Sequence, residues 1–150
     1  MNPPVPPPVV AAIFGGVMWA VDRKLTAGQF ESTKLTPIAV VLLIAGVTIM
    51  LAAAASLIAA KTTLNPLRPL RASSLITTGM FRISRNPIYL GDLLILTALA
   101  VWLGNVINVV VLGVFVWTIN RFQIASEERA LTKLFGERYV AYCSKVRRWL

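Results

Sequence analysis

The residues able to do chemistry in this chain fall in two short stretches, Thr77–Asp92 and Arg121–Tyr142, each joined to a long apolar run. The first, TTGMFRISRNPIYLGD, groups Arg82, Arg85, Asn86 and Tyr89 around Pro87. A proline here suits the first turn of a helix, where its missing N–H does least harm. The free N–H groups of such a helix start, with Arg and Asn side chains beside them, can hold an anionic group. The same residues also suit a plain membrane anchor, because arginines snorkel and tyrosines sit in the interfacial belt. The second stretch, RFQIASEERALTKLFGERYVAY, carries Arg121, Glu127, Glu128, Tyr139 and Tyr142. Glu127–Glu128 reads either as acids complementing a helix N-terminus or as paired carboxylates binding a cation. Arg121, six residues earlier, reads by itself as a snorkelling anchor. Asp92 lies one turn into an apolar run, either facing a cavity or staying wet near the interface. Brought to one mouth, these groups suit a zwitterionic ligand with a carboxylate, an ammonium and an aromatic ring.

Other chemistries are excluded by what the chain lacks. It has no histidine, so there is no Ser-His nucleophile, no His-ligated metal and no imidazole base. Its one cysteine, Cys143, excludes an intramolecular disulfide and a thiolate metal cage. No metal site is expected.

The elements that must position these residues are apolar. Hydrophobic residues make up 57% of the 150 and charged residues only 14%, with a mean hydropathy of +0.72. A soluble domain carries roughly 25% charged residues. The expectation is one all-α integral membrane domain over 1–150, with about four transmembrane helices. The spans are placed near 5–21, 37–60, 88–103 and 106–120, the last two forming a helical hairpin about Gly104-Asn105. The second is 24 residues, about 36 Å of helix and enough to cross with tilt. The start, MNPPVPPPVV, lacks the basic n-region of a secretory signal, so the first run is expected to stay as a span.

The net charge is +9. In a soluble protein that would point to nucleic acid, but here the basic residues flank apolar runs. Anionic membrane lipid is the expected partner and nucleic acid is not. Five basic residues in the 61–87 loop (Lys61, Arg68, Arg71, Arg82, Arg85) and seven in the tail after residue 120 are twelve of the chain's fifteen. Positive-inside places both segments on the cytosolic face, and an even number of spans between them brings the two polar stretches together. The tail reads as an amphipathic helix with Leu131, Leu134, Phe135 and Tyr142 near one stripe, interrupted or bent at Gly136. Ser126 marks a possible helix start, although the helix can equally run on from the fourth span.

The order of these residues resembles the isoprenylcysteine carboxyl methyltransferase and phospholipid methyltransferase superfamily of small membrane enzymes. The resemblance runs through Gly79-Met80-Phe81-Arg82, Arg85-Asn86-Pro87-Ile88-Tyr89-Leu90-Gly91, Arg121, Glu127-Glu128 and Phe135-Gly136-Glu137-Arg138-Tyr139-Val140-Ala141-Tyr142. It covers about residues 66–150; residues 1–65 match only as apolar spans. It implies S-adenosylmethionine as methyl donor, bound by Arg85, Asn86, Pro87, Tyr89, Glu127 and Glu128. One of the two glutamates would pair with its ammonium. It implies Arg121 and Glu128 as catalytic, with Arg121 orienting a lipophilic or lipidated acceptor that enters between spans. That acceptor would be an isoprenylcysteine-type carboxylate or a lipid amine, and the membrane a bacterial inner membrane or endoplasmic reticulum. Asn86 stands where the family often has histidine. It still donates and accepts hydrogen bonds but cannot titrate. The competing readings are an NADPH-dependent sterol-reductase-like enzyme, which would be much larger, and a non-enzymatic four-span protein.

Overall fold

The computed structural model describes residues 5–60 and 74–150. The start Met1–Pro4 and the loop cations Lys61, Arg68 and Arg71 lie outside the described residues. Among the described residues the chain is helical, with no strand beyond an isolated Gln29–Asn105 bridge.

The helices are α1 (Pro7–Lys24), α2 (Thr36–Ala59), α3 (Pro87–Leu103), α4 (Asn108–Thr118), α5 (Ala125–Phe135) and α6 (Glu137–Lys145). The first three each carry proline at their first turn, where its fixed φ favours the helix. Short 3₁₀ turns at Thr33–Leu35 and Gly79–Arg82 feed α2 and the approach to α3. Gly104 ends α3 with φ +68 in the left-handed conformation, which costs glycine nothing. A side chain there would also meet the Phe30 carbonyl.

Connectivity makes an up-and-down bundle. At one end Asn105 Nδ2 donates to the Leu25 carbonyl at 2.8 Å, and the Phe30 N–H donates to the Gly104 carbonyl at 2.7 Å. These bonds tie the α1–α2 connection to the α3–α4 turn. At the other end Gln123 Nε2 donates to the Val5 carbonyl at 2.7 Å. That end also carries the start of α3 and the tail.

α2 and α3 touch backbone to backbone. A Cβ on Gly46 would lie 2.8 Å from the Gly91 carbonyl oxygen, and one on Gly91 would overlap Met50 and the Gly46 carbonyl. Small residues at such crossings let helices approach closely where lipid removes the hydrophobic drive. α1, α3, α4 and the turn that follows α4 share a core of Met18, Tyr89, Leu96, Ala100, Phe115 and Ile119. Phe14 sets its edge on Phe115 at 5.3 Å.

Two continuous helical stretches, Thr33–Ala59 and Asn108–Phe135, are long and apolar enough to cross a membrane; α3 is apolar but shorter. Only 17% and 22% of their apolar windows are buried within the protein. The core helix of a soluble domain would be mostly buried. Val41, Ile44 and Leu51 on α2 and Val109 and Val110 on α4 instead stand exposed, and an apolar surface of this extent marks contact with something other than water.

The helix of α4 does not stop at residue 120. It continues through a π-helical turn, Ile119–Ile124, into α5. Ser126 is therefore not a helix start. Its Oγ donates back to the Gln123 carbonyl at 2.8 Å from inside the helix. The break comes at Gly136 (φ +54), which starts α6 in a new direction. The single stripe expected from Leu131 to Tyr142 is thereby divided: Leu134 is exposed and Tyr142 is buried.

Candidate active site

Pro87 opens α3, and Tyr89 lies two residues into it on the inward face, 4% exposed. The Tyr89 hydroxyl donates to Glu127 Oε1 at 2.6 Å. Glu127 and Glu128 are adjacent on a helix and so point about 100° apart. Glu127 faces α3, while Glu128 faces the residues just before it. There Arg85 Nη1 lies 3.2 Å from Glu128 Oε1. The same guanidinium nitrogen donates to Cys143 Sγ at 2.7 Å, and Arg85 Nε is buried with no hydrogen-bond partner among the described residues. A carboxylate so placed is held by a charge-assisted bond.

The expected residues therefore converge. Arg85, Asn86, Pro87, Tyr89, Glu127 and Glu128 come to one end of the bundle, from the start of α3 and from α5. Asn86 and Pro87 are buried. Asn86 caps nothing with its side chain; its N–H donates to Ser84 Oγ at 3.1 Å. Arg121 and Arg82 are exposed, and Arg121 makes no hydrogen bond or ion pair with the other site residues. Asp92, one turn further along α3, is 3% exposed, and its Oδ2 has no partner among the described residues. It is buried rather than wet.

A π turn, Ile119–Ile124, directly precedes the helix that carries Glu127 and Glu128. Each π step adds a residue to the turn and rotates the helix beyond it, and such insertions recur at functional sites. Here it buries Gln123 and Ile124.

Tyr142 and Tyr139 stand behind the site. The Tyr142 hydroxyl donates to the Phe81 carbonyl at 2.6 Å, docking α6 on the 3₁₀ turn before Arg85. Burial pushes the Tyr142 hydroxyl up to about 12 and shifts Tyr139 upward as well. Both are neutral donors at any ordinary pH.

Sequence reasoning missed the closing piece. The chain leaves α6 at Val146 in an extended conformation and runs back across Ser84–Asn86. The Arg85 N–H donates to the Arg147 carbonyl at 3.0 Å. Asn86 Nδ2 and Ser84 Oγ donate to the Arg148 carbonyl at 3.0 and 3.3 Å. The Arg148 side chain forks onto Glu128, with Nε to Oε1 at 3.0 Å and Nη2 to Oε2 at 2.6 Å. That bonding raises the Arg148 pKa further. In the sequence Arg148 is one of several terminal cations, and nothing there separates it from Lys145 or Arg147.

The site thus groups two carboxylates, two guanidiniums and an amide at one end of the bundle. Glu128 lies between the Arg85 and Arg148 guanidiniums, Glu127 takes the Tyr89 hydroxyl, the Asn86 amide reaches the Arg148 carbonyl, and Pro87 and Tyr89 are buried beside them.

The chain is similar to a known family and to several known proteins. The phospholipid methyltransferase family matches residues 35–138. An uncharacterised protein of Haemophilus influenzae is 50% identical over 62 residues, which is 41% of this chain and 98% of that protein. Protein-S-isoprenylcysteine O-methyltransferases B and A of Arabidopsis thaliana are 36% and 35% identical over 72 residues. That is 48% of this chain and 36% of each plant protein, so the match spans about a third of their length. No solved structure matches significantly.

Proposed function

The chain belongs to the phospholipid methyltransferase family, and on that premise we propose that it transfers a methyl group from S-adenosylmethionine to a lipophilic acceptor at the cytosolic face of a membrane. The observation that carries this is the meeting of Tyr89 with Glu127 and of Arg85 with Glu128 at one end of an apolar bundle. Polar groups assembled at the edge of a membrane are costly and usually mark the chemistry. The names of the two plant relatives support a lipidated or lipid acceptor.

Bound S-adenosylmethionine supplies a methyl carbon made electrophilic by its neighbouring sulfonium. In this reading Glu128 or Glu127 pairs with the ligand's ammonium, Arg85 and Asn86 hold its carboxylate, and Pro87 and Tyr89 pack against its apolar part. The buried Tyr89–Glu127 pair fixes that wall in one geometry, and alignment of this kind is what an in-line displacement needs. Exclusion of water by the surrounding apolar residues prevents screening of the fixed charges. Arg121 is exposed beside the helical bundle, where it can orient an acceptor arriving from the membrane. A carboxylate acceptor requires no base. An amine acceptor must lose a proton, and Asp92 is the buried carboxylate with an oxygen not already bonded among the described residues.

Calorimetric titration of S-adenosylhomocysteine into detergent-purified protein, beside Glu128→Gln and Tyr89→Ala, tests the reading. Saturable binding to the native chain, about tenfold or more weaker in both variants, is expected from loss of a charge-assisted contact and of the wall that positions it. Absence of binding to folded protein removes the methyltransferase reading.

A further inference from the structure

Val146–Trp149 engages the same groups that the cofactor reading needs. Arg148 takes both oxygens of Glu128 in a two-pronged contact. The Arg148 carbonyl takes the Asn86 amide, and the Arg147 carbonyl takes the N–H of Arg85. A bidentate guanidinium is the side chain best matched to a carboxylate. It gives Glu128, the carboxylate that the methyltransferase reading pairs with the ligand's ammonium, a cation from the chain itself.

We propose that Val146–Trp149 is a displaceable strap in which Arg148 holds the cofactor's place at Glu128, and that cofactor binds by exchanging its ammonium for this guanidinium. The proposal rests on the methyltransferase reading above. Its geometry favours exchange over permanent closure. The Arg148 side chain is 40% exposed, whereas those of Glu128 and Arg85 are 18% and 16% exposed. The strap's cation therefore lies on the solvent side of the carboxylate, and the inner cation, Arg85, stays with Glu128 when the outer one leaves. The carboxylate is never left buried and unpaired, which is the costly condition for such a group. The strap is also tethered at both ends. It emerges from α6 on one side. On the other, Trp149 packs on the core cluster and donates from Nε1 to Asn120 Oδ1 at 3.3 Å. Arg147 and Arg148 can swing out between these anchors and return.

A purely structural clip and an exchanging strap differ in sign. If Arg148 holds the ligand's place, removing it removes a competitor, so Arg148→Gln binds S-adenosylhomocysteine about threefold to tenfold tighter than the native chain. Arg148→Lys keeps the charge without the fork and falls between them. Hydrogen exchange gives an independent reading on the unaltered protein. Saturating S-adenosylhomocysteine speeds exchange in peptides containing Arg85 and Val146–Trp149, because the Arg85 N–H loses its Arg147 partner. If the native chain binds S-adenosylhomocysteine while Arg148→Gln binds it equally or more weakly, or if those peptides slow, the strap proposal fails and Arg148 is a positioning residue for Glu128. If neither the native chain nor the variants bind it, the methyltransferase reading itself fails and takes the strap with it.

Discussion

Adjacent glutamates take different partners because one residue of helix turns a side chain through about 100°. Glu127 receives the Tyr89 hydroxyl and Glu128 receives two guanidiniums. The pairing of Tyr142 with the Phe81 carbonyl is simpler and therefore a cleaner test of single-residue energetics. Tyr142→Phe leaves a carbonyl without its donor, and loss of such a bond costs about 1–3 kcal/mol. Thermal unfolding in detergent is expected to show a Tm lower by a few degrees, with S-adenosylhomocysteine affinity little changed because Tyr142 does not touch the site carboxylates. The pH dependence has a definite sign. The hydroxyl moves from 10.0 to about 12 in the folded chain, so its contribution is complete below pH 10 and is lost as the pH rises through about 12. A difference between native and variant that changes across pH 6–9 would rule this account out. At this scale Arg85, Tyr89, Glu127 and Glu128, which the structure brings together at the candidate site, were legible. Arginine, asparagine, proline, tyrosine and paired glutamates at interface positions are unusual enough to be noticed without coordinates. Arg148 was not legible, because one cation among several at the end of a chain becomes specific only when its partner is known. For Asp92 the sequence does not separate facing a cavity from staying wet near the interface, since depth along a helix does not say which neighbours cover it.

The elements show what local chemistry does and does not encode. Prolines at three helix starts, Gly104 after α3 and Gly136 after α5 act within a turn of themselves, and each was readable as a boundary. The π turn was not. It leaves no composition signature, and the continuous helix from α4 to α5 made Ser126 an interior residue instead of a cap. The crossing of α2 and α3 is likewise a tertiary fact carried by two glycines that look unremarkable in sequence. Gly91→Val places side-chain atoms against the Gly46 carbonyl and Met50. The methionine can yield but the backbone cannot, so α2 must shift. Overpacking of this kind costs about 1–3 kcal/mol. Because Gly91 sits two residues beyond Tyr89, the shift is expected to lower both the unfolding temperature and S-adenosylhomocysteine affinity. Gly16→Ala supplies the contrast, since a methyl there meets nothing within 4 Å. It should leave binding unchanged and stability the same or slightly higher. Equal behaviour of the two variants would mean that the α2–α3 contact does not position the site.

At the scale of the whole molecule, an up-and-down bundle puts connections alternately at its two ends. The α1–α2 connection and the α3–α4 turn share one end, tied by Asn105 to Leu25. The approach to α3 and the tail share the other, tied by Arg85 to Glu128. This arrangement is independent of any charge rule, yet it puts together the two segments whose basic residues would both be cytosolic. If the bundle crosses the bilayer, Thr26 and Ser144 must lie on opposite faces. Single cysteines at these positions, in a Cys143→Ser background, would be labelled with a membrane-impermeant maleimide in sealed vesicles of known orientation. The expected result is Thr26→Cys labelled from the external side and Ser144→Cys labelled only after permeabilisation, since the excess of Lys and Arg stays inside. Reversal of the two would preserve the bundle while moving the site to the external face, away from a cytosolic methyl donor. Labelling of both from one side would mean that the apolar surface of α2 and α4 covers a membrane or partner without crossing, and a lateral route for the acceptor between spans would no longer be available.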